Sequence, residues 1–514
     1  MQVGFVLRRL APAVGVILAA ALLAACATPP SVSPAASAAA VSTAPSMEPS
    51  TEPSTEPDTR SMPDSPRDGP AATRPDDQIE DHIEDPPRTR ADAPIRSPHF
   101  AARQTSADQL RAETIDALLA AMSIEQRVGQ LFMIGFPVDA AGRPLRELSR
   151  RADEVMRTIQ PGGVLLFGQN VHTTAQLQNL ITAFQQTAAL PLLIAVDHEG
   201  GSISRITAGG GVPATRIPAA RVVGAAGDPE LAYRLGKVMG RELRSLGVTV
   251  NFAPVADLLT NPANTVIGDR SLGNDPERVG ELVAALVRGM QSHGVAAVLK
   301  HFPGHGDTYE DTHYEAAVVR HTAERLDGVE LVPFRRGIEA GVIGVMTAHI
   351  GAPEVTGTGD PATLSPFLLQ TLLRESLRFE GLVISDSLNM HALTRYYDRN
   401  QVVVRAFAAG VDILLHPERP LEAYRALVEA VHSGAVGAQR LDQSVRRILE
   451  TKYNLGLLLP SESAARAIGA DGIIDLRFPA EPPAQVLGIA AHQAVVEEIV
   501  RRHNDLRQQE TGAR

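Results

Sequence analysis

Residues 297–313 read AVLKHFPGHGDTYEDTH: a short apolar run ends in a lysine and a histidine, turns at proline and glycine, and opens into a charged loop. An apolar run of this length, with no polar alternation, suits a strand buried on both faces of a parallel sheet. The same grammar recurs on either side of it. Gln130–Phe136, Gly163–Phe167, Leu192–Asp197, Thr249–Val255, Gly344–His349, Leu382–Asp386 and Val411–His416 are runs of Val, Ile, Leu, Phe or Ala bounded by glycine, proline or a polar residue. Helix-length amphipathic stretches lie between them, among them Asp228–Leu246, Pro276–His293 and Arg325–Ala340. Eight strands alternating with helices predict an α/β fold, a (β/α)8 barrel of the TIM type. A doubly wound open sheet is the alternative, and no GxGxxG phosphate fingerprint favours it.

Polar residues gather where a barrel needs them. Asp197, Asp257, Lys300, His301, His349 and Asp386 all fall at the carboxyl ends of expected strands, the face on which barrel enzymes build their sites. Six titratable groups at equivalent strand ends are hard to explain by packing, and they point to an enzyme. The chain has three lysines, Lys237, Lys300 and Lys452, its other basic residues being arginine, so Lys300 at a strand end stands out.

Composition narrows the chemistry further. The 514 residues are 44% hydrophobic and carry a formal net charge of -11, which supports a large core and argues against a broad electrostatic grip on nucleic acid. A single cysteine excludes an intramolecular disulfide framework and any multi-cysteine metal centre. Aromatics are 4% with no tryptophan, which disfavours a long polysaccharide groove lined with stacking rings.

Three stretches carry candidate chemistry. In the 300–313 loop, Asp311 and His313 stand two apart, close enough for the carboxylate to orient the imidazole of a residue that moves protons. A metal site built from His301, His305, Asp307 and His313 is the competing reading, although Pro303 and Gly304 interrupt the helical spacing of the first two. In VISDSLNM, residues 383–390, Asp386 ends a buried strand and can attack an electrophilic carbon or stabilise a cationic one. Its bland alternative is a helix N-cap. In DHEGG, residues 197–201, together with GDRSLG, residues 268–273, Asp197 and Arg270 join Lys300 and His301 as a pocket for hydroxyls and an amide; ordinary salt bridging is the alternative.

These motifs together resemble family 3 glycoside hydrolases, in the bacterial β-N-acetylhexosaminidase branch. The likeness runs from Met122 to about Leu455, roughly two thirds of the chain, and takes in PGGVLLF, VDHEGG, NFAPVADL, GDRSLG, KHFPGHGDTYEDTH, VMTAHI and VISDSLNM in order. The resemblance implies a retaining exo-β-N-acetylglucosaminidase. In it Asp386 is the nucleophile, His313 the general acid and base with Asp311 as dyad partner, and Asp197, Arg270, Lys300 and His301 hold the sugar. It implies no metal and no cofactor. Ser202 stands where the family usually has an arginine, with Arg205 retained; Ser387 follows Asp386 where the β-glucosidase branch carries tryptophan. A β-N-acetylglucosaminide phosphorylase and a non-catalytic sugar-binding surface lipoprotein remain as alternatives.

The N-terminal quarter reads differently. Residues 1–25 have a basic start at Arg8 and Arg9 and an alanine-rich apolar run too short for a comfortable membrane span, which suits a signal peptide. They end in Leu23-Ala24-Ala25-Cys26, which resembles the bacterial lipobox, so Cys26 is the expected lipidation site and membrane tether. Residues 26–105 are rich in Pro, Ser, Thr and acidic residues, with a tandem EPST repeat, and suit a disordered stalk. Residues 106–459 are the expected barrel. Residues 460–514, too few for a second α/β domain, are an expected extension with one helix at Ala490–Leu506. The whole predicts a monomer facing the periplasm or cell wall. Ala27 lacks the aspartate that often retains lipoproteins at an inner membrane, and the substrate class expected there is N-acetylglucosamine-containing peptidoglycan fragments.

Overall fold

A computed structural model describes residues 98–309, 317–458 and 481–512, with side chains from residue 108 onward. Cys26, the EPST repeat and the signal-like run lie outside the described residues. Eight strands form one sheet: β1 (Phe132–Gly135), β2 (Gly163–Leu166), β3 (Leu193–Val196), β4 (Val250–Asn251), β5 (Ala296–Phe302), β6 (Gly344–Thr347), β7 (Leu382–Ser385) and β8 (Leu414–Leu415). Seven lie within the runs read from the sequence and β5 starts one residue ahead of its run, and all neighbours pair in parallel, in the order β7-β6-β5-β4-β3-β2-β1-β8. A parallel bridge between Ile384 and Ile413 brings the two ends together, so the sheet is a nearly closed barrel and not the open doubly wound alternative.

Two strands are much shorter than their apolar runs, for a backbone reason. Pro254 and Pro417 carry no N–H to give to a neighbour, so the ladder is interrupted ahead of Pro254, resuming with a parallel bridge between Val255 and Lys300, and ends before Pro417. The expected helix over 325–340 is likewise divided. A π-helical turn at Leu326–Glu330 is followed by an α-helix at Val332–Glu339, whose second residue is Pro333, where a missing N–H costs nothing. Two of the outer helices start with the same dipeptide. Asp228 accepts from the backbone of Glu230 and Leu231, Asp275 from that of Arg278, and Pro229 and Pro276 occupy the first helical position. These helices, Pro229–Ser245 and Pro276–Gln291, cross closely enough that a Cβ on Gly289 would stand 2.3 Å from the Tyr233 carbonyl oxygen.

The seam between β7 and β8 is fastened by Asp412, which is fully buried. Its carboxylate accepts from the Val383 backbone at 3.0 Å, Arg374 at 2.6 Å and Ser444 at 2.5 Å, with Arg440 and Arg447 each at 3.3 Å. Burial pushes Arg374 down to about 10 against the pull of Asp412. The guanidinium groups therefore depend on this one carboxylate.

A helix begins at Pro98, ahead of the boundary near 106 read from composition, and another runs Ala490–Gly512, longer than expected. The latter packs on the barrel's outer helices, burying Val495 and Ile499. Glu242 anchors it: the carboxylate accepts from the Thr215 backbone and hydroxyl, the Gly488 backbone and His492 Nδ1 at 2.6–2.9 Å. Among the described residues no helix is long and apolar enough to cross a membrane.

Asp412→Ala leaves three guanidinium groups around an empty centre, and is expected to lower the unfolding free energy by about 3–5 kcal/mol. Denaturant unfolding checks this; a loss within about 0.5 kcal/mol, typical of surface substitutions, would show that the seam does not depend on it.

Candidate active site

The carboxyl ends of the strands open into a cavity of about 400 Å³, at the small end of the usual range for ligand pockets (about 300–1,000 Å³). Asp197, Arg270, Lys300, His301 and Asp386 all line it, so five of the residues singled out from the sequence meet in one place. Asp311 and His313 lie outside the described residues. Arg205 also lines the cavity, whereas Ser202 is exposed on the turn of the hairpin that follows β3.

One wall is an ion cluster. Lys300 on β5 is 2% exposed and donates to Asp197 at 2.7 Å, while its Nζ stands 2.6 Å from Glu199. Arg270, on the short turn Gly268–Arg270, grips Glu199 with two parallel bonds of 2.8 and 2.9 Å. Burial would raise the Glu199 carboxyl, but the Lys300 and Arg270 charges hold it at about 2. Burial would lower Lys300 and Arg270, yet Asp197 and Glu199 raise the first and Glu199 raises the second. All three stay ionised, and Asp197 is the most open member, one quarter exposed to the cavity.

Glu199 received no role in the sequence reading, although a signal was present. It stands two residues beyond Asp197 in extended backbone, and such residues share a face. The turn that follows demands glycine: Gly200 has φ +104, and a Cβ there would lie 2.2 Å from the Pro218 carbonyl oxygen.

The second wall is an imidazole relay. His301 Nδ1 sits 2.7 Å from Asp257, and its Nε2 lies 3.4 Å from Arg270. A carboxylate on one edge and a guanidinium on the other fix Nδ1 as donor and Nε2 as acceptor. Asp257, fully buried, also accepts from the backbones of His301 and His305 at 3.1 and 2.7 Å. His305 Nδ1 lies 2.8 Å from the Thr308 hydroxyl, and the His301 and His305 rings stand edge to face, 5.8 Å apart. Among the described residues no group of three or more His, Cys, Asp or Glu side chains is arranged to hold a metal.

Asp386 sits just beyond β7. Its backbone N–H donates to the Thr347 carbonyl at 3.1 Å, and its carboxylate accepts from the Ser387 N–H at 2.7 Å. The helix that follows starts at His391 behind Met390, so Asp386 is not its N-cap. His349 supports the turn from below, with Nε2 3.0 Å from the Ser387 carbonyl and Nδ1 2.8 Å from Thr363. Burial would raise the Asp386 carboxyl, but His349 and the Ser387 N–H hold it below the usual carboxylate range. An ionised carboxylate thus faces the cavity, able to attack an electrophilic carbon or to stabilise positive charge.

Residues 123–451 match the model of the glycosyl hydrolase family 3 N-terminal domain. A β-hexosaminidase A from Pseudoalteromonas piscicida is 33% identical over 384 residues, 68% of this chain, which spans 63% of that relative's length. A β-hexosaminidase from Hydrogenovibrio crunogenus is 38% identical over 62% of this chain and 88% of its own. The solved structure of a family 3 β-N-acetylglucosaminidase from a Paenibacillus species superposes with TM-score 0.65 at 38% identity, covering 74% of this chain and 69% of that one.

Removing Lys300 leaves buried Glu199 with Arg270 alone and Asp197 without its cation, so Lys300→Met is expected to cost about 3 kcal/mol of stability in denaturant unfolding. The pH dependence gives a second readout. The folded Glu199 value is lowered from 4.5 to about 2, so its contribution is full above about 4.5 and fades as pH falls toward 2. Unfolding free energy should fall more steeply through that window in the parent than in Lys300→Met.

Proposed function

The chain belongs to glycosyl hydrolase family 3 and is an enzyme of the β-hexosaminidase type, and we propose that it is a retaining exo-β-N-acetylglucosaminidase. The observation that carries this reading is the single cavity in which the Asp386 carboxylate faces the Asp197–Lys300–Glu199–Arg270 cluster and His301. The cluster suits the hydroxyls and acetamido group of a terminal N-acetylglucosamine. Asp197 accepts, Lys300 and Arg270 donate, and their mutual ion pairs hold each at a fixed place before the sugar arrives.

The chemistry follows in two steps. Asp386 attacks the anomeric carbon, forming a glycosyl ester as the bond to the leaving oxygen breaks; His313, oriented by Asp311, gives that oxygen its proton. Water then attacks the anomeric carbon, His313 takes its proton, and the Asp386 carboxylate is freed with net retention. A covalent carboxylate route uses no metal or organic cofactor. The small cavity supports removal of one terminal sugar at a time. We place the protein as a monomer tethered through Cys26 outside the cytoplasm, acting on peptidoglycan fragments; the lipobox-like Leu23–Cys26 and the proline-rich stretch support that reading.

An aryl β-N-acetylglucosaminide should be cleaved well and the aryl β-glucoside poorly, with Asp386→Asn slower by roughly a thousandfold or more. Proton NMR of the first product should show the β-anomer; an α-anomer would overturn the covalent route. Sugar phosphate formed only when phosphate is present would instead identify a phosphorylase, and bound sugar without turnover a binding lipoprotein.

Asp386 must be ionised to attack, and its carboxyl lies below the usual range, so the acid limb of kcat/KM should fall below that range too. His349→Gln removes a group that lowers it, and should move the limb upward. An unmoved limb would show that another group sets it.

A further inference from the structure

His416, immediately after β8, takes no part in the ion cluster or the attack, yet the structure singles it out. Its backbone is left-handed, φ +47, a conformation that residues other than glycine and asparagine adopt only when their surroundings enforce it. Its Nδ1 accepts from the Gly135 N–H at 3.3 Å, and its ring lies against Phe167 with centroids 5.2 Å apart. Burial pushes its imidazole down to about 4, so the ring is neutral in ordinary buffers. A neutral imidazole with Nδ1 accepting carries its proton on Nε2, and is a donor there.

A second cavity, of about 690 Å³, lies between residues 135–155 and 416–422. It and the catalytic cavity share Pro137 and His416 in their walls. The two therefore adjoin at Pro137 and His416, on the side of the barrel where β8 pairs with β1 and away from the Lys300 cluster on β5. The second cavity offers apolar faces at Pro137, Val138 and Leu421 beside charged groups of both signs, including Arg151 and Glu154. Apolar patches interleaved with polar groups suit a pyranose, which has carbon faces and a hydroxyl rim.

We propose that this cavity is the subsite for the leaving portion of the substrate, that its occupant is a second sugar residue, and that His416 is the specificity-determining donor at its entrance, giving the Nε2–H to an oxygen of that sugar. The inference rests on the proposed glycosidase reading and deepens it. A terminal N-acetylglucosamine fills the catalytic cavity, and the sugar to which it is joined crosses His416 into the larger one. The left-handed backbone is then the means by which β8 turns one donor toward the ligand, where an extended residue would continue toward Pro417.

The test uses the full chain in an Asp386→Asn background, where binding is read without turnover. Calorimetry compares N-acetylglucosamine with its β-1,4-linked disaccharide. The disaccharide should bind more tightly, and His416→Phe, which retains a ring against Phe167 but has no N–H, should shrink that advantage about tenfold, the scale of one hydrogen bond. His416→Asn keeps the left-handed backbone within reach and should likewise shrink it, so that a fold defect peculiar to one variant is recognised. In the active enzyme the ratio of kcat/KM for the disaccharide over the aryl glycoside should fall by the same factor. Equal weakening of both sugars, or an unchanged advantage, would overturn the subsite. Binding of neither sugar by Asp386→Asn, with no cleavage by the parent, would overturn the glycosidase reading and the subsite with it; monosaccharide binding without disaccharide advantage overturns the subsite alone.

Discussion

The barrel depends on closing one seam, and a buried carboxylate reinforces the backbone bonds that close it. Strands β7 and β8 share a short ladder, in which Asp412 and Ile413 donate to the Val383 carbonyl and Ser385 to the Ile413 carbonyl at 2.7–3.0 Å. Asp412 compensates by accepting from the backbone of β7 while gathering guanidinium groups from two outer helical segments. Everything catalytic on this side follows from that closure. Asp386 follows β7 and His416 follows β8, so the same fastening sets the Asp386 carboxylate and the His416 side chain in the wall of one cavity. The Ser385 hydroxyl, accepting from the Leu415 N–H at 2.9 Å, repeats the link one step closer to the site.

Across the cavity the ordering principle is different. There the side chains hold one another by charge, and burial makes each member necessary to the rest. Lys300 and Arg270 hold the Glu199 carboxyl down against its burial, and Glu199 and Asp197 in turn offset the cost of burying the two cations. Such a cluster costs stability to assemble and gains rigidity. Rigid donors and acceptors are what a site needs when its ligand carries many weak hydroxyl groups and no charge of its own.

Much of this was legible in the chain. All eight barrel strands coincide with the apolar runs to within one residue, and Asp197, Lys300, His301 and Asp386 were marked by being polar at the ends of such runs. A strand end is a local pattern, and local patterns survive in sequence. Glu199 was harder, since a carboxylate inside a glycine turn looks like solvent-facing loop until Lys300, a hundred residues away, is brought to it. His416 was hidden for the same reason: nothing around it in the chain forecasts a left-handed backbone or a partner at Gly135. The strand lengths were overread because hydrophobicity reports burial, whereas a ladder needs N–H groups that Pro254 and Pro417 lack. Asp311 and His313 were read from their motif alone.

The scarcity of lysine has a practical side. Lys300 and Lys452 are almost wholly enclosed, the latter with its ammonium 2.6 Å from the Gln130 side chain and its value pushed by burial to about 7. Lys237 alone is open to solvent, on the outer helix Pro229–Ser245 beside Tyr233. An amine-directed reagent therefore has a single accessible side-chain target on the folded protein. A dye, a surface linkage or a crosslinker introduced through lysine side chains would be attached at Lys237, leaving the ammonium group within the cavity untouched.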